Sequence, residues 1–567
     1  MFFRLSSTEK IVFPEMKLDD VLATIGEFGP YQLWVYHWYC MLNFSVAFHH
    51  LGQVFLGGVS DHWCAIPENT NCSDSTNYGC QYQHFSFKIP ADDLSTSINE
   101  SNCIQYVSYV NITEDTPLIE CANSYEFDHS RYTSTIQEDF TLVCKGKTKV
   151  AFAQSIYFFG LLVGSVVMGS VADRIGRKPT LIICAVMQSS FGLALSFIQS
   201  FTAYCILRFI IATATIGIYL ISFVMATELV GLKWRNVAGN VMPIYWSLGI
   251  MVLALFGYLV RDWRKLQIVL SVPTGVAALY MPFLPESARW LLSQGEVTKA
   301  EKIVHKFARA SKVTIAEHPF GDKIQMKKER KYTALDLFRT PNLRKKTINV
   351  MYNWFVVVMV FYGLSLSTDG LGIDPYIAFM LSGLVEIPAR IFSIFSIDRF
   401  GRRPMLAIVI LSGGACCLIT VFIEPGMYRV MVAMGGKFSF TAAFGIVYVY
   451  SAELFPTPLR TTAMGLASMA GRMGSIISPM ALVISEIWKP LPLVLFSSLS
   501  VTAGLLGLLL PETKGISLPE TIEEGEHFGK KTKRSKSSGY SHELQTRDDK
   551  NEDEETEIQL PFDDMKT

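Results

Sequence analysis

From Tyr31 to about Leu510 the chain is a succession of long apolar runs broken by short polar connectors. A helix rises about 1.5 Å per residue, so about 20 apolar residues cross a hydrocarbon core about 30 Å thick. That measure predicts twelve membrane helices, at 31–57, 149–170, 180–198, 203–227, 238–260, 266–284, 347–367, 375–397, 405–422, 427–451, 462–486 and 491–510. The expected organisation is an N-terminal segment (1–30), helix 1 (31–57), a long polar loop (58–147), helices 2–6 (148–285), a second polar loop (286–346), helices 7–12 (347–511) and a polar tail (512–567).

Half of the 567 residues are hydrophobic, too many for one large soluble enzyme with an ordinary surface. The formal net charge is zero, with 50 basic and 50 acidic side chains, so nothing points to nucleic acid as a partner; the bilayer is the partner expected. Glu9, Glu15, Asp19 and Asp20 interrupt the N-terminal segment, which does not read as a cleavable signal peptide.

The placement of polar residues gives a sidedness. Cys64, Cys72, Cys80, Cys103, Cys121 and Cys144 all fall in the first polar loop, with the sequons at Asn71, Asn99 and Asn111. Together these predict an oxidised, glycosylated extracellular loop. The second loop is basic (Lys299, Lys302, Lys306, Lys327, Lys328, Arg330, Lys331, Arg344, Lys345, Lys346) and is expected in the cytosol. Both termini then lie in the cytosol, and the plasma membrane is the expected location. Arg261, Arg264 and Lys265 dissent, since they fall in a predicted outer loop. After Pro511 the tail passes from Lys530, Lys531, Lys533, Arg534 and Lys536 into an acidic run at 551–555 and reads as largely disordered.

Asp173-Arg174-Ile175-Gly176-Arg177-Lys178-Pro179 recurs in the second half of the chain as Asp398-Arg399-Phe400-Gly401-Arg402-Arg403-Pro404. Glu228 and Arg235 recur at the identical offset as Glu453 and Arg460, and Pro285-Glu286-Ser287 recurs, one position out of step, as Pro511-Glu512-Thr513. Three charged motifs at essentially one spacing, after helices of equal rank, predict two six-helix pseudo-repeats in parallel orientation. All sit at predicted cytosolic helix ends. Asp173, Arg174, Arg177, Glu228, Arg235, Glu286, Arg289, Asp398, Arg402, Glu453 and Arg460 are therefore candidates for a cytosolic gate, whose pairs form in one state and break in another.

With these residues the chain resembles the major facilitator superfamily and, within it, the organic ion transporters of cations, anions and carnitine. The resemblance extends to about Thr521. It rests on Gly26-Glu27-Phe28-Gly29, the cysteine-bearing first loop, Asp173 to Pro179, Pro285 to Leu292, Tyr362-Gly363-Leu364, Glu386-Ile387-Pro388 and Ala452 to Thr457. It departs slightly at Ala288 and Phe455, where the family usually has Pro and Tyr. It implies an all-α twelve-helix fold with a large extracellular loop and transport by alternating access. Sugar porters share the Pro-Glu-Ser and Pro-Glu-Thr signatures but usually carry a Gln-Gln pair in helix 7, which this chain lacks.

Ionisable groups deep in a bilayer are costly and mark function. Glu386, Lys437 and Arg472 each lie about 15–17 Å along their helices, near the midplane. Arg390, one turn from Glu386, can neutralise it. Lys437 and Arg472 then leave excess positive charge, suited to a carboxylate that Arg472 grips with both of its nitrogens. The resemblance implies the same preference, because cation carriers of the family typically have Asp in helix 11 where Arg472 stands, and tend to have Glu in the stretch of helix 10 that holds Phe444. Tyr157, Phe158, Tyr245, Trp246, Trp354 and Tyr362 are candidate stacking aromatics, with Trp354 and Tyr362 preferred. Arg208 either lines the path or snorkels, and His49 and His50 read as interfacial histidines or proton sensors. The expected solute is a small organic zwitterion, carnitine-like, or an anion; an organic cation drawn by Glu386 is the alternative, with a sugar porter or a non-transporting receptor behind it. Gly436-Lys437 lacks the upstream glycine of a phosphate-binding loop, and no catalytic domain, metal site or cofactor motif is evident.

Overall fold

The computed structural model describes residues 17–64, 104–106, 118–121, 125–320 and 333–529. The three sequons at Asn71, Asn99 and Asn111, together with Cys72, Cys80 and Cys103, lie outside the described residues, as do residues 321–332 and the tail from 530. The bundle consists of α1 (Pro30–Leu51), α2 (Thr148–Ile175), α3 (Arg177–Leu195), α4 (Phe201–Glu228), α5 (Leu232–Leu259), α6 (Trp263–Tyr280), α7 (Pro341–Leu366), α8 (Pro375–Phe400), α9 (Arg402–Phe422), α10 (Met427–Leu454), α11 (Thr457–Val483) and α12 (Leu491–Gly507). Ten of these are long and apolar enough to cross a membrane. The other two are α12, at 17 residues, and α1, which has 22 residues but includes Gln32, Asn43, His49 and His50, all buried against the bundle.

Packing repeats as the sequence does. Within the first half α2 packs on α4, α3 on α4 and α6, and α1 on α4 and α5; within the second half α8 packs on α10, α9 on α10 and α12, and α7 on α10 and α11. Each pair maps onto its partner by a shift of six helices. The two large contacts between halves, α5 with α8 and α2 with α11, exchange under the same shift, as a pseudo-twofold axis requires. The apolar core of the first half reaches onto Tyr376 and Phe379 of α8, and the second half has a core of its own.

The bundle has two distinguishable ends. At the loop end, Cys64 and Cys121 form a disulfide and residues 62–64 pair antiparallel with 125–127. Cys144 is disulfide-bonded too. The adjoining stretch is docked on the first half: Asp139 accepts from the Trp263 indole at 2.8 Å and from Arg264 at 2.9 Å, Arg261 donates to the Ser130 carbonyl at 3.3 Å, and Lys265 pairs with Asp262 at 3.4 Å. The three basic residues that dissent from the charge rule are thus engaged in seating the loop and capping α6.

Contacts joining the halves cluster at this end. Tyr376 of α8 stacks on Phe55, meets Tyr132 and Tyr258 and donates to the Arg131 carbonyl; Phe379 meets Phe55. Ser155 of α2 donates to the Ile476 carbonyl of α11 at 2.8 Å, and Lys147 pairs with Glu486 at 3.8 Å.

Small residues set how closely the helices approach. A Cβ on Gly164 of α2 would lie 2.6 Å from the Thr213 Cα and 2.7 Å from its carbonyl oxygen on α4, whereas Gly169 of the same helix has nothing within 4 Å. Gly164→Leu is expected to cost about 1–3 kcal/mol through overpacking, read as a lower thermal midpoint and loss of the monodisperse peak in detergent, while Gly169→Leu leaves both unchanged.

Candidate substrate-binding site

At the opposite, motif end, the repeated residues build the same network twice. In the first half Arg177 pairs with Glu228 at 2.7 Å, and the Ser287 hydroxyl donates to Glu228 at 2.5 Å. In the second half Arg402 grips Glu453 through Nε and Nη2, both at 2.9 Å, and the Thr513 hydroxyl donates to Glu453 at 2.6 Å. Glu286 accepts from the Lys178 and Ser287 backbone N–H groups, as Glu512 does from those of Arg402, Arg403, Thr513 and Lys514. For Glu512 burial works to raise the pKa, but those four donors outweigh it and hold the carboxylate below its usual range.

Gly176 and Gly401 have φ of 110° and 94°, and a Cβ there would lie within 3 Å of the Glu286 and Glu512 carboxylates. Only glycine satisfies both demands. Asp19, which no motif or repeat in the sequence marks, accepts from Arg235 at 3.0 Å and Arg289 at 2.5 Å. Its one sequence signal is an acid in the first turn of the short helix Leu18–Ile25. Asp398 meets Arg402 at 3.5 Å, and the Asp173 carbonyl accepts from Trp290 at 3.2 Å. These named pairs at the motif end all lie within one half.

Between the halves is a central cavity of about 100 Å³, narrow in this conformation. α7 presents Trp354, Val358, Phe361 and Tyr362, α10 presents Phe444 and Tyr448, and α11 presents Ser468, Arg472 and Ser475, each set spaced to share one helix face. His50, Tyr219 and Trp246 come from the first half, and Arg390 from α8. The walls are continuous aromatic surface: Trp354 lies 4.4 Å from Tyr448, Phe361 5.7 Å from Phe444, and His50 5.0 Å from Trp246, ring centre to centre. Trp354 is fixed by its N–H bond to Ser451 at 2.9 Å.

The charges are arranged differently from the sequence expectation. Glu386 ion-pairs across to Lys437 of α10 at 3.0 Å, rather than along its own helix with Arg390. Both are fully buried. The other Glu386 oxygen accepts from Ser247 of α5 at 3.1 Å, a bond between halves near the middle of both helices. Lys437 also donates to Ser365 and lies 3.5 Å over the Phe361 ring, so it is held within the second half and does not face the central cavity. Arg390 and Arg472 do, and neither has an acidic partner among the described residues; Arg390 stacks 5.4 Å from Phe444.

Of the other candidate aromatics, Phe158 packs behind Tyr362 at 4.8 Å, Tyr157 lies 4.2 Å beneath Arg208, and Tyr245 pairs with His37 at 3.0 Å, away from the cavity. Arg208 neither lines the path nor snorkels. It is fully buried, donating to the His49 carbonyl at 3.2 Å and to Gln154 at 2.8 Å.

Comparison with known proteins agrees with this architecture. A family model described as "Sugar (and other) transporter" matches residues 115–524. An organic cation transporter protein of Drosophila melanogaster is 36% identical over 91% of this chain and 96% of its own length. Human solute carrier family 22 member 13 is 36% identical over 89% and 92%, and human organic cation/carnitine transporter 2 is 32% identical over 89% and 93%. Among solved structures, the inward-open xylose transporter XylE from E. coli superposes with a TM-score of 0.52 at 18% identity, over 66% of this chain and 88% of that one, a likeness of fold. The chain therefore belongs to the major facilitator superfamily, in the organic ion transporter family that these relatives represent, and is a membrane transporter of small organic solutes rather than an enzyme.

Proposed function

We propose that this transporter carries small organic anions and carboxylate-bearing zwitterions by alternating access through the central cavity. One observation carries the reading: Arg390 and Arg472 line the cavity without acidic partners among the described residues, while the nearby carboxylate, Glu386, is neutralised by Lys437. A guanidinium in an aromatic, water-poor site is stabilised by a solute carboxylate held through paired hydrogen bonds. The aromatic walls accept an apolar body or, for a zwitterion, an ammonium group.

In this reading the loop end is extracellular, glycosylated at Asn71, Asn99 and Asn111, and the motif end, the termini and the 286–346 loop are cytosolic, in the plasma membrane. Tyr376 and its neighbours then close the outer side, and the state is inward-facing. The Arg177–Glu228 and Arg402–Glu453 pairs, with Asp19 holding Arg235 and Arg289, act as the cytosolic gate elements; their charges re-pair across the halves when the outside opens.

Organic cation transport is the competing reading, in line with the names of several relatives. It requires Glu386 to be available to solute.

Three outcomes test this. Arg472→Ala should lower proteoliposome uptake of a carboxylate solute about tenfold or more, as loss of a charged hydrogen bond implies, and quaternary ammonium compounds without a carboxylate should neither be carried nor compete. Efficient carriage of such compounds, unchanged by Arg472→Ala, overturns the reading. Glu386→Gln leaves a buried ammonium unpaired and is expected to cost about 3–5 kcal/mol, seen as lost expression; adding Lys437→Met should restore expression together with carboxylate uptake, whereas a cation site at Glu386 would stay inactive. For sidedness, endoglycosidase treatment of the protein from animal cells should raise its gel mobility, and Gln at all three sequons should abolish that shift.

A further inference from the structure

A larger cavity, about 310 Å³, lies wholly within the second half at the loop end, apart from the path between the halves. Its walls come from α7, α9, α10, α11 and α12 and are mostly apolar, including Leu364, Met434, Leu482 and Leu493. Its charged lining residues are Arg429, Lys489 and, at depth, Lys437; no acid is among the described lining residues. Lys437 already has Glu386 as a partner. Arg429 and Lys489 have no hydrogen-bond or ion-pair partner among the described residues, and the Arg429 Nε is buried without one. Glu486, the acid three positions before Lys489, is engaged by Lys147.

We infer that this cavity is a second ligand site, separate from the transported solute's, for an amphipathic monoanion: a carboxylate or similar oxyanion held by Arg429 and Lys489, with its apolar body between α7, α10 and α12. Apolar walls with a few convergent polar groups at this volume are the ordinary form of a small-molecule site. Two unpaired cations beside a low-dielectric wall draw an anion and repel a cation. Because every wall belongs to one half, the site does not require the halves to part and exists whichever way the transporter faces. Lys437 connects it to the rest of the molecule. Lys437, which lines this cavity, holds Glu386 through its ammonium, and Glu386 in turn accepts the bond from Ser247 of the other half. An anion in the cavity shifts the field at that ammonium and so acts on the junction between halves without entering the solute path.

The inference does not rest on the solute reading, and the test keeps them apart. Protein carrying Arg472→Ala, in phosphatidylcholine nanodiscs, is titrated with decanoate and followed by thermal midpoint and by direct binding. Saturable stabilisation is expected. Adding Arg429→Gln and Lys489→Gln should weaken decanoate binding about tenfold or more, Arg429→Lys alone should largely retain it, and decyltrimethylammonium of equal chain length should not bind there. In transport-competent protein, decanoate should change the maximal uptake rate of a carboxylate solute, and the Arg429→Gln/Lys489→Gln variant should escape that change while keeping its basal uptake. Unaltered decanoate binding in the double variant, equal binding of the ammonium amphiphile, or no saturable binding at all overturns the site.

Discussion

The bond on which the interior turns is the ion pair between Glu386 and Lys437. Either charge alone at mid-membrane would cost several kcal/mol, so the pair has to be made for α8 and α10 to lie side by side in lipid. Once made, it has three further effects. It neutralises the nearby carboxylate, leaves Arg390 and Arg472 as the unbalanced charges of the central cavity, and through Ser247 ties the second half to the first. The electrostatic sign of the central cavity is therefore set by a contact outside its lining.

At the motif end a different arrangement holds. Glu228 and Glu453 each satisfy an arginine and a hydroxyl from another turn of their own half, and Glu286 and Glu512 each collect backbone N–H groups at the start of a helix. Gly176 and Gly401 let those carboxylates approach. Each half is thereby braced internally, and the large contacts between the halves are left to α2 with α11 and α5 with α8.

The parts of this that are legible in the sequence share a physical basis. Apolar length fixes the helices and recurrence of charged motifs fixes the repeat; both are local properties of the string. The depths of Glu386, Lys437 and Arg472 follow from helical rise. What spacing does not contain is the choice between partners. Arg390 is one turn from Glu386 and Lys437 is two helices further along the chain, yet α10 is pressed against α8, and that proximity decides the pairing. The consequence propagates: spacing alone pairs Arg390 and frees Lys437, whereas in the folded chain Lys437 is paired and Arg390 lines the central cavity with Arg472. Arg208 is misplaced for the same reason, since its acceptors, the His49 carbonyl and Gln154, lie on α1 and α2. Asp19 is inconspicuous in the string because a first-turn acid is commonplace, and only the folded contact with Arg235 and Arg289 distinguishes it.

The docking of the loop through Asp139 on Trp263 and Arg264 seats residues 128–143 on the first half, overhanging Tyr376 of the second. A binding protein that clasps this overhang and the start of α8 together would hold the two halves against each other at the loop end. It would do so without touching any residue that lines the central cavity.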